Sequence, residues 1–189
     1  MNILVIYTYP NHEGFNHAIK EAVINNIEAS HQLKIIDLYE ENFNPVLFFD
    51  ADHKRRYLDL NQEMREYREA IEWSDFIIFI FPIWWSSMPA ILKGFIDRVF
   101  AKGFAYRYKG LIPIGLLKNK KAWIINTHDS PLLYAGLFQK DYGRILSKQI
   151  LKMCGISTFK HSSLSYVRGS SEKKRKKFLT RLSLISSRL

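Results

Sequence analysis

Apolar residues follow two rhythms along this chain. Short, nearly unbroken runs rich in β-branched residues fall at 2–8 (NILVIYT), 33–38 (LKIIDL), 75–81 (DFIIFIF), 121–127 (KAWIINT) and within 156–167. Runs of this length, bounded by polar or turn-forming residues, predict buried strands. Between them the spacing changes to that of helices. Segment 15–29 sets Ala18, Ile19, Ala22 and Val23 on one side, and 61–74 reads as a polar helix. From Ser87, a candidate cap with Pro89 in the first turn, Ile91, Leu92, Phe95, Ile96 and Val99 form an apolar stripe. Segments 133–153 and 171–188 complete the helices, the last with Phe178, Leu182, Ile185 and Leu189 on one face. Segments 40–60 and 104–120 read as irregular.

Strands alternating with helices predict an α/β protein with a parallel sheet and helices on both faces. Five strands suit a flavodoxin-like three-layer sandwich, a five-stranded parallel sheet in the order 2-1-3-4-5, as a single domain over 1–189. Ligands of such sheets bind at the carboxyl ends of the strands, where the strand order reverses. That switch point lies between the first and third strands. The expected site is therefore built by the loop after Thr8 and by PIWWSS, 82–87.

Composition narrows this picture more than it extends it. Cys154 is the one cysteine, which excludes an intrachain disulfide framework and a cysteine zinc site. His12, His17 and His128 lack ligand spacing to one another, so no metal is expected. The opening MNILVIYTYPN has no basic leader and a short apolar run, so a cytoplasmic protein is expected. The formal net charge of +10 is uneven: residues 1–110 carry 12 basic and 15 acidic side chains, residues 111–189 carry 16 and 3. Without an accompanying DNA- or RNA-binding motif the basic half reads as a solvated face, and no nucleic-acid partner is expected.

The chemistry of the two loops points to a planar ligand. GxGxxG, GxxxxGK[ST] and GxSxG are all missing, which argues against a dinucleotide fingerprint, a P-loop and a hydrolase elbow. Adjacent tryptophans beside backbone amides suit a conjugated ring that is stacked on its face and hydrogen-bonded along its edge, as a flavin is. The other loop opens a helix, whose first N–H groups and dipole favour a phosphate. Aromatics are also enriched at dimer interfaces, and Trp84 and Trp85 can serve both roles.

The segments GFNHAIKEA (14–22), DLYEENFNPV (37–46), FPIWWSSMPAILKGFIDRVFAKGFAYRY (81–108) and GLLKNKKAWII (115–125) resemble the NAD(P)H:quinone oxidoreductase family, the DT-diaphorase-like flavoproteins, in a short bacterial form. The resemblance implies an FMN or FAD cofactor and NAD(P)H as co-substrate. It also implies hydride transfer to the flavin and then two-electron reduction of a quinone-like acceptor, in a homodimer. By position it implies that Phe15, Asn16 and Ala18 meet the flavin phosphate and that Pro82, Ile83, Trp84, Trp85 and Ser86 line the ring. The resemblance likewise implies that Asn126, Thr127, His128 and Asp129 form a third flavin-contacting loop. Tyr134 matches a tyrosine that helps hydride transfer, and Tyr106 and Tyr108 match aromatics that wall the substrate pocket across the dimer.

Three positions depart from the family pattern. Glu13-Gly14 stands where a Ser or Thr hydroxyl usually precedes Phe-Asn. His128-Asp129-Ser130-Pro131 replaces the Gly-Gly of larger members. The histidine that partners the catalytic tyrosine has no clear counterpart, Gln139 or Lys140 falling near its place. Some relatives are ancillary subunits of cation-efflux transporters. A regulatory role on such a membrane transporter, docked through the basic half around 173–177, is therefore the alternative to the enzyme. Gly94, inside a helix, costs up to ~1 kcal/mol relative to alanine and implies close packing against the sheet or a partner.

Overall fold

The computed structural model describes residues 1–52, 54–134, 141 and 143–189. Strand β1 (Asn2–Tyr7) leads to helix α1 (Phe15–Ile24), strand β2 (Gln32–Asp37) and helix α2 (Arg65–Trp73). Strand β3 (Phe76–Pro82), helix α3 (Ala90–Val99) and a hairpin of β4 (Tyr106–Lys109) and β5 (Ile112–Gly115) follow. Strand β6 (Lys121–His128) precedes a helical turn α4 (Leu132–Tyr134). A π-helical run Ile145–Leu151, a turn α5 (Lys152–Cys154), strand β7 (Ser157–Ser165) and helix α6 (Glu172–Ser186) complete the order. The main sheet runs β2-β1-β3-β6-β7 and every pairing in it is parallel. This is the expected flavodoxin-like order, with β6 and β7 as fourth and fifth strands.

Strand β3 explains why the runs are apolar without interruption. All of Phe76–Pro82 is buried, and successive side chains enter different cores. Ile77, Phe79 and Phe81 pack with Leu92, Phe95 and Val99 of α3 and Ile71 of α2. Phe76, Ile78 and Ile80 pack with Ile19 and Val23 of α1 and Phe178 and Leu182 of α6. Each fully buried Ile, Leu or Phe contributes roughly 1.5–3 kcal/mol. Helix α6 also ends α1: Ser183 Oγ donates to the Ala22 carbonyl at 3.1 Å and Ser186 Oγ to the Val23 carbonyl at 2.6 Å. Both carbonyls also accept from Asn26, Ala22 from its Nδ2 and Val23 from its N–H, so α6 adds a second donor to each. Among the described residues no helix is long and apolar enough to cross a membrane.

Several local expectations are corrected. Segment 104–120 is not wholly irregular, because YRYK and IPIG pair as an antiparallel hairpin around Gly110 and Leu111. Gly110 takes the positive φ (61°) that the first central residue of a type II′ turn needs. Pro113 obscured this strand, since proline is confined to edges, and this ribbon is all edge. The helix expected over 133–153 is divided into α4, the π-helical run and α5; residues 135–140 and 142 lie outside the described residues. Gln139 and Lys140 fall there. Ser87 does not cap α3. Its N-cap is Pro89, and Ser87 Oγ instead donates to Asp141 Oδ2 at 3.0 Å.

Gly94 packs on Pro45 of the 40–60 segment, not on the sheet. A Cβ at residue 94 would lie 2.3 Å from the Pro45 carbonyl oxygen and 2.4 Å from its Cβ. One turn later the buried Arg98 donates to the Asn44 carbonyl at 2.5 Å and pairs with Glu63. The long segment is thus clamped across α3. Gly94→Ala gains up to ~1 kcal/mol of helix propensity but overpacks a closed contact, which costs ~1–3 kcal/mol. The expected result is a net loss of stability and a melting temperature lower by a few degrees, read by circular dichroism; a raised melting temperature would show that the Pro45 segment yields.

Candidate functional site

Three parallel strands leave the sheet at the same end, and their exits define a cleft. Thr8 N–H donates to the Ile80 carbonyl at 2.9 Å and Ile83 N–H to the Thr127 carbonyl at 2.7 Å. The loops after β1, β3 and β6 therefore leave the sheet edge side by side. They enclose a cleft of about 750 Å³, within the size range of small-molecule sites. One wall is Tyr9, Phe15 and Asn16; the next is Pro82 to Ser86; the third is Thr127 to Ser130, with Val167 and Arg168 behind it.

The first wall is an uncapped helix start. Gly14 is the N-cap of α1, no side chain caps it, and its first turn holds no acidic residue. His17 and Ala18 N–H reach the Gly14 carbonyl, whereas Phe15 and Asn16 N–H take no backbone partner among the described residues. Asn16 is 6% exposed, and its Oδ1 accepts from Thr127 Oγ1 at 3.0 Å. That bond leaves the Asn16 Nδ2 donor for the cleft. Glu13 is exposed, and its N–H donates to Asn11 Oδ1 at 2.8 Å. Donors without acceptors at a helix N-terminus suit an anion.

The second wall is a strained turn. Trp84 and Ser87 exchange both backbone hydrogen bonds, at 2.9 and 3.0 Å, so Trp85 and Ser86 are the two central residues of a hairpin turn. Both have positive φ, 49° and 65°, as a type I′ turn demands and as Asn-Gly ordinarily supplies. A bulky residue there costs ~1–3 kcal/mol, a cost that concentrates at functional sites. Trp85 is fully exposed and Trp84 partly so. The N–H groups of Trp85 and Ser86 find no acceptor in the described residues. Ser87 ties the turn to Asp141, whose other oxygen accepts from Ile145 N–H at 3.0 Å.

The third wall is tied to the loop after β7. Asp129 Oδ1 accepts from Arg168 N–H at 2.8 Å, and Val167 N–H donates to the His128 carbonyl. The Arg168 and Asp129 side chains stand 3.9 Å apart and are solvated, a weak, screened pair. His128 is buried, which pushes its pKa below the usual histidine value; its Nδ1 lies 3.0 Å from the Ser130 carbonyl. The ring is therefore neutral near pH 7, with Nδ1 as the donor.

Ten of the sequence-predicted residues line this cleft and five do not. Ala18 lies one turn into α1, and Asn126 is buried with Nδ2 2.9 Å from His161 Nε2. Tyr134, on α4, is half-exposed outside the lining. Tyr106 and Tyr108, on β4, line a separate hollow with Phe49, Ile145 and Met153, their rings edge to face at 5.7 Å. Sequence reasoning missed Tyr9, Ser130, Val167 and Arg168. Tyr9 and Ser130 adjoin loops already singled out; Val167 and Arg168 were reachable by asking where the fifth strand ends. Among the described residues no group of His, Cys, Asp and Glu could hold a metal ion.

Comparison with known proteins bears on this geometry. A family model described as a flavodoxin-like fold matches residues 1–184. The crystal structure of Smu.1420 from Streptococcus mutans UA159 is 47% identical, with TM-score 0.97 over 100% of both chains. NAD(P)H:quinone oxidoreductase from Methanothermobacter marburgensis is 25% identical, with TM-score 0.82 over 99% of this chain and 96% of that one. An uncharacterized NAD(P)H oxidoreductase of Haemophilus influenzae is 36% identical over 124 residues, 64% of this chain and 61% of its own. The matches to this and two further curated relatives span 55% to 61% of those proteins' lengths.

The strained turn yields a prediction that needs no ligand. Replacing Trp85-Ser86 by Asn-Gly relaxes both positive-φ positions and removes an exposed ring. The expected gain in urea denaturation is about 1–2 kcal/mol. A loss of stability instead would mean that Trp85 packs in solution.

Proposed function

The chain belongs to the flavodoxin-like fold family, and from that premise we propose that it is a flavin-dependent NAD(P)H oxidoreductase. In this reading hydride passes from NAD(P)H to the flavin, and two electrons then pass to a quinone or similar acceptor. The observation that carries the reading is the cleft at the switch point. It joins unpaired helix N-terminal donors on one side to a strained tryptophan turn with free N–H groups on the other. An elongated ligand with an anionic end and a flat, edge-polar end fits that pair of walls. The names of the Haemophilus and Methanothermobacter relatives agree with it.

The fit of the residues assigns their roles. Phe15 and Asn16 N–H and Asn16 Nδ2 hold the phosphate, with Thr127 fixing the Asn16 amide by its hydrogen bond. Pro82, Ile83 and the two tryptophans cover the ring and exclude water from its face, and the Trp85 and Ser86 N–H groups are donors for its edge. When bound, the flavin, FMN or FAD, supplies the two-electron chemistry. His128 and Asp129 close the side of the cleft. Tyr134 is assigned to hold or pass a proton at the acceptor, from the loop that leaves β6.

We further assign the protein to a homodimer. The β4–β5 hairpin carries Leu111 and Ile112 exposed at its tip beside Tyr108, an apolar projection of the kind that a second copy covers. Tyr106 and Tyr108 would then wall the acceptor pocket of the partner.

Absorption spectroscopy of the purified protein tests the reading, followed by release and identification of any flavin and by NAD(P)H oxidation with a quinone. A flavin spectrum and quinone-dependent turnover are expected. A colourless protein that oxidises no NAD(P)H even with added flavin would reject it. Trp84→Ala is expected to weaken flavin binding about tenfold, measured by fluorescence titration, through lost ring stacking and burial.

A further inference from the structure

We propose that Asp141 is a positioning residue for the ring end of the cleft: through Ser87 it holds the tryptophan turn in the shape that presents the Trp85 and Ser86 N–H groups. The proposal rests on the flavin reading above and concerns how this chain fixes the edge donors of that site.

The turn needs a restraint from outside itself. Trp85 and Ser86 both sit at positive φ, 49° and 65°, and neither is glycine or asparagine. Such a conformation persists only where the surroundings over-determine it. Packing does not supply the restraint at the tip, because Trp85 is fully exposed. The bonds between Trp84 and Ser87 lie within the turn and move with it. What remains is the attachment of its two legs. The incoming leg hangs on the sheet, where Ile83 N–H donates to the Thr127 carbonyl at 2.7 Å. The outgoing leg enters the core at Met88. One residue earlier it is tied by Ser87, whose Oγ donates to Asp141 Oδ2 at 3.0 Å, 54 positions away in the chain.

Asp141 suits this task because it is itself fixed. Its other carboxylate oxygen accepts from Ile145 N–H at 3.0 Å, and its carbonyl accepts from Arg144 N–H at 2.6 Å. Side chain and backbone thus both tie it to the start of the π-helical run. Two residues on, Gly143 has a φ of 86° and lies close over the sheet. A Cβ there would stand 3.0 Å from Asn126 Nδ2 and 3.2 Å from His161 Nε2. Asn126 and His161 are themselves joined at 2.9 Å between β6 and β7. The anchor of the outgoing leg therefore rests on the same strand, β6, that carries Thr127, the anchor of the incoming leg. Both legs take their position from one strand, and the N–H groups between them are aimed before a ligand arrives. Donors set in advance act most strongly where charge rises on reduction, at the ring edge.

The test compares wild type with Ser87→Ala, Asp141→Ala, the double variant and Asp141→Asn. The last can keep both contacts, its carbonyl oxygen accepting from Ile145 and its NH2 group donating to the Ser87 hydroxyl, which also accepts. In the flavin-free protein, amide hydrogen exchange at Trp84 and Ser87 reports the turn. Exchange about tenfold faster is expected in both alanine variants, with no further increase in the double variant and near wild-type rates in Asp141→Asn. Ser87→Ala leaves the Ile145 contact in place, so it decides the matter even where Asp141→Ala folds poorly. In the FMN-loaded protein, the midpoint reduction potential reports the edge donors. The alanine variants are expected to lose about tenfold in preference for reduced over oxidised flavin, about 30 mV for a two-electron couple, and Asp141→Asn to retain it. Exchange unaltered by Ser87→Ala overturns the tie, whether or not flavin binds. Faster exchange with an unaltered potential overturns the positioning role and leaves a structural brace. A larger drop in the double variant than in either single one also overturns it, because the two residues then act separately. Wild type that takes up no flavin overturns the flavin reading and the positioning role together, while the exchange result alone decides the contact.

Discussion

Burial of β3 on both faces is the constraint from which the rest of the molecule follows. With each residue from Phe76 to Pro82 inaccessible, the strand must be hydrogen-bonded on both edges and covered on both sides. β1 and β6 supply the edges and the helices supply the covers. Because the pairings are parallel, the carboxyl ends of the three strands also lie on one side of the sheet. The switch point is thus a product of core formation, and the site sits where the buried backbone emerges.

Emergence has a cost that the cleft concentrates. Leaving a closed sheet within two residues forces a tight turn, and the turn here is made from Trp85 and Ser86 instead of Asn and Gly. A chain selected for stability alone would put small residues there. On the facing wall α1 starts without a cap, leaving N–H donors unmatched. Strain on one wall and unmet hydrogen bonding on the other are both features that a bound ligand would relieve.

The same logic separates the cleft from other polar clusters. Buried Arg98 is matched by Asn44 and Glu63, and buried Ser186 by the Val23 carbonyl. Those groups are closed within the fold and hold segments together. The N–H groups of Trp85 and Ser86 find no such match among the described residues, and this difference, rather than burial or charge, distinguishes a site from a brace.

Much of this was legible in the sequence because it depends on local periodicity. Uninterrupted apolar runs specify strands covered on both faces, and their alternation with helices specifies a parallel sheet; strand order and switch point follow from that. The tryptophan loop was legible for the same reason, lying directly after the most apolar run. What was not legible depended on residues far apart in the chain. Ser87 has the identity of a cap, but it faces Asp141, and nothing near it in sequence says so. Gly94 is explained by Pro45, and Gly14 by the ring of Tyr9. Tyr106 and Tyr108 share the chain's characteristic stretch with the tryptophans, yet a hairpin carries them to another face. Sequence determined which elements form, because hydrophobic periodicity acts within a few residues. Tertiary structure alone decided which side chain fills which space, because steric exclusion acts between neighbours that only folding brings together.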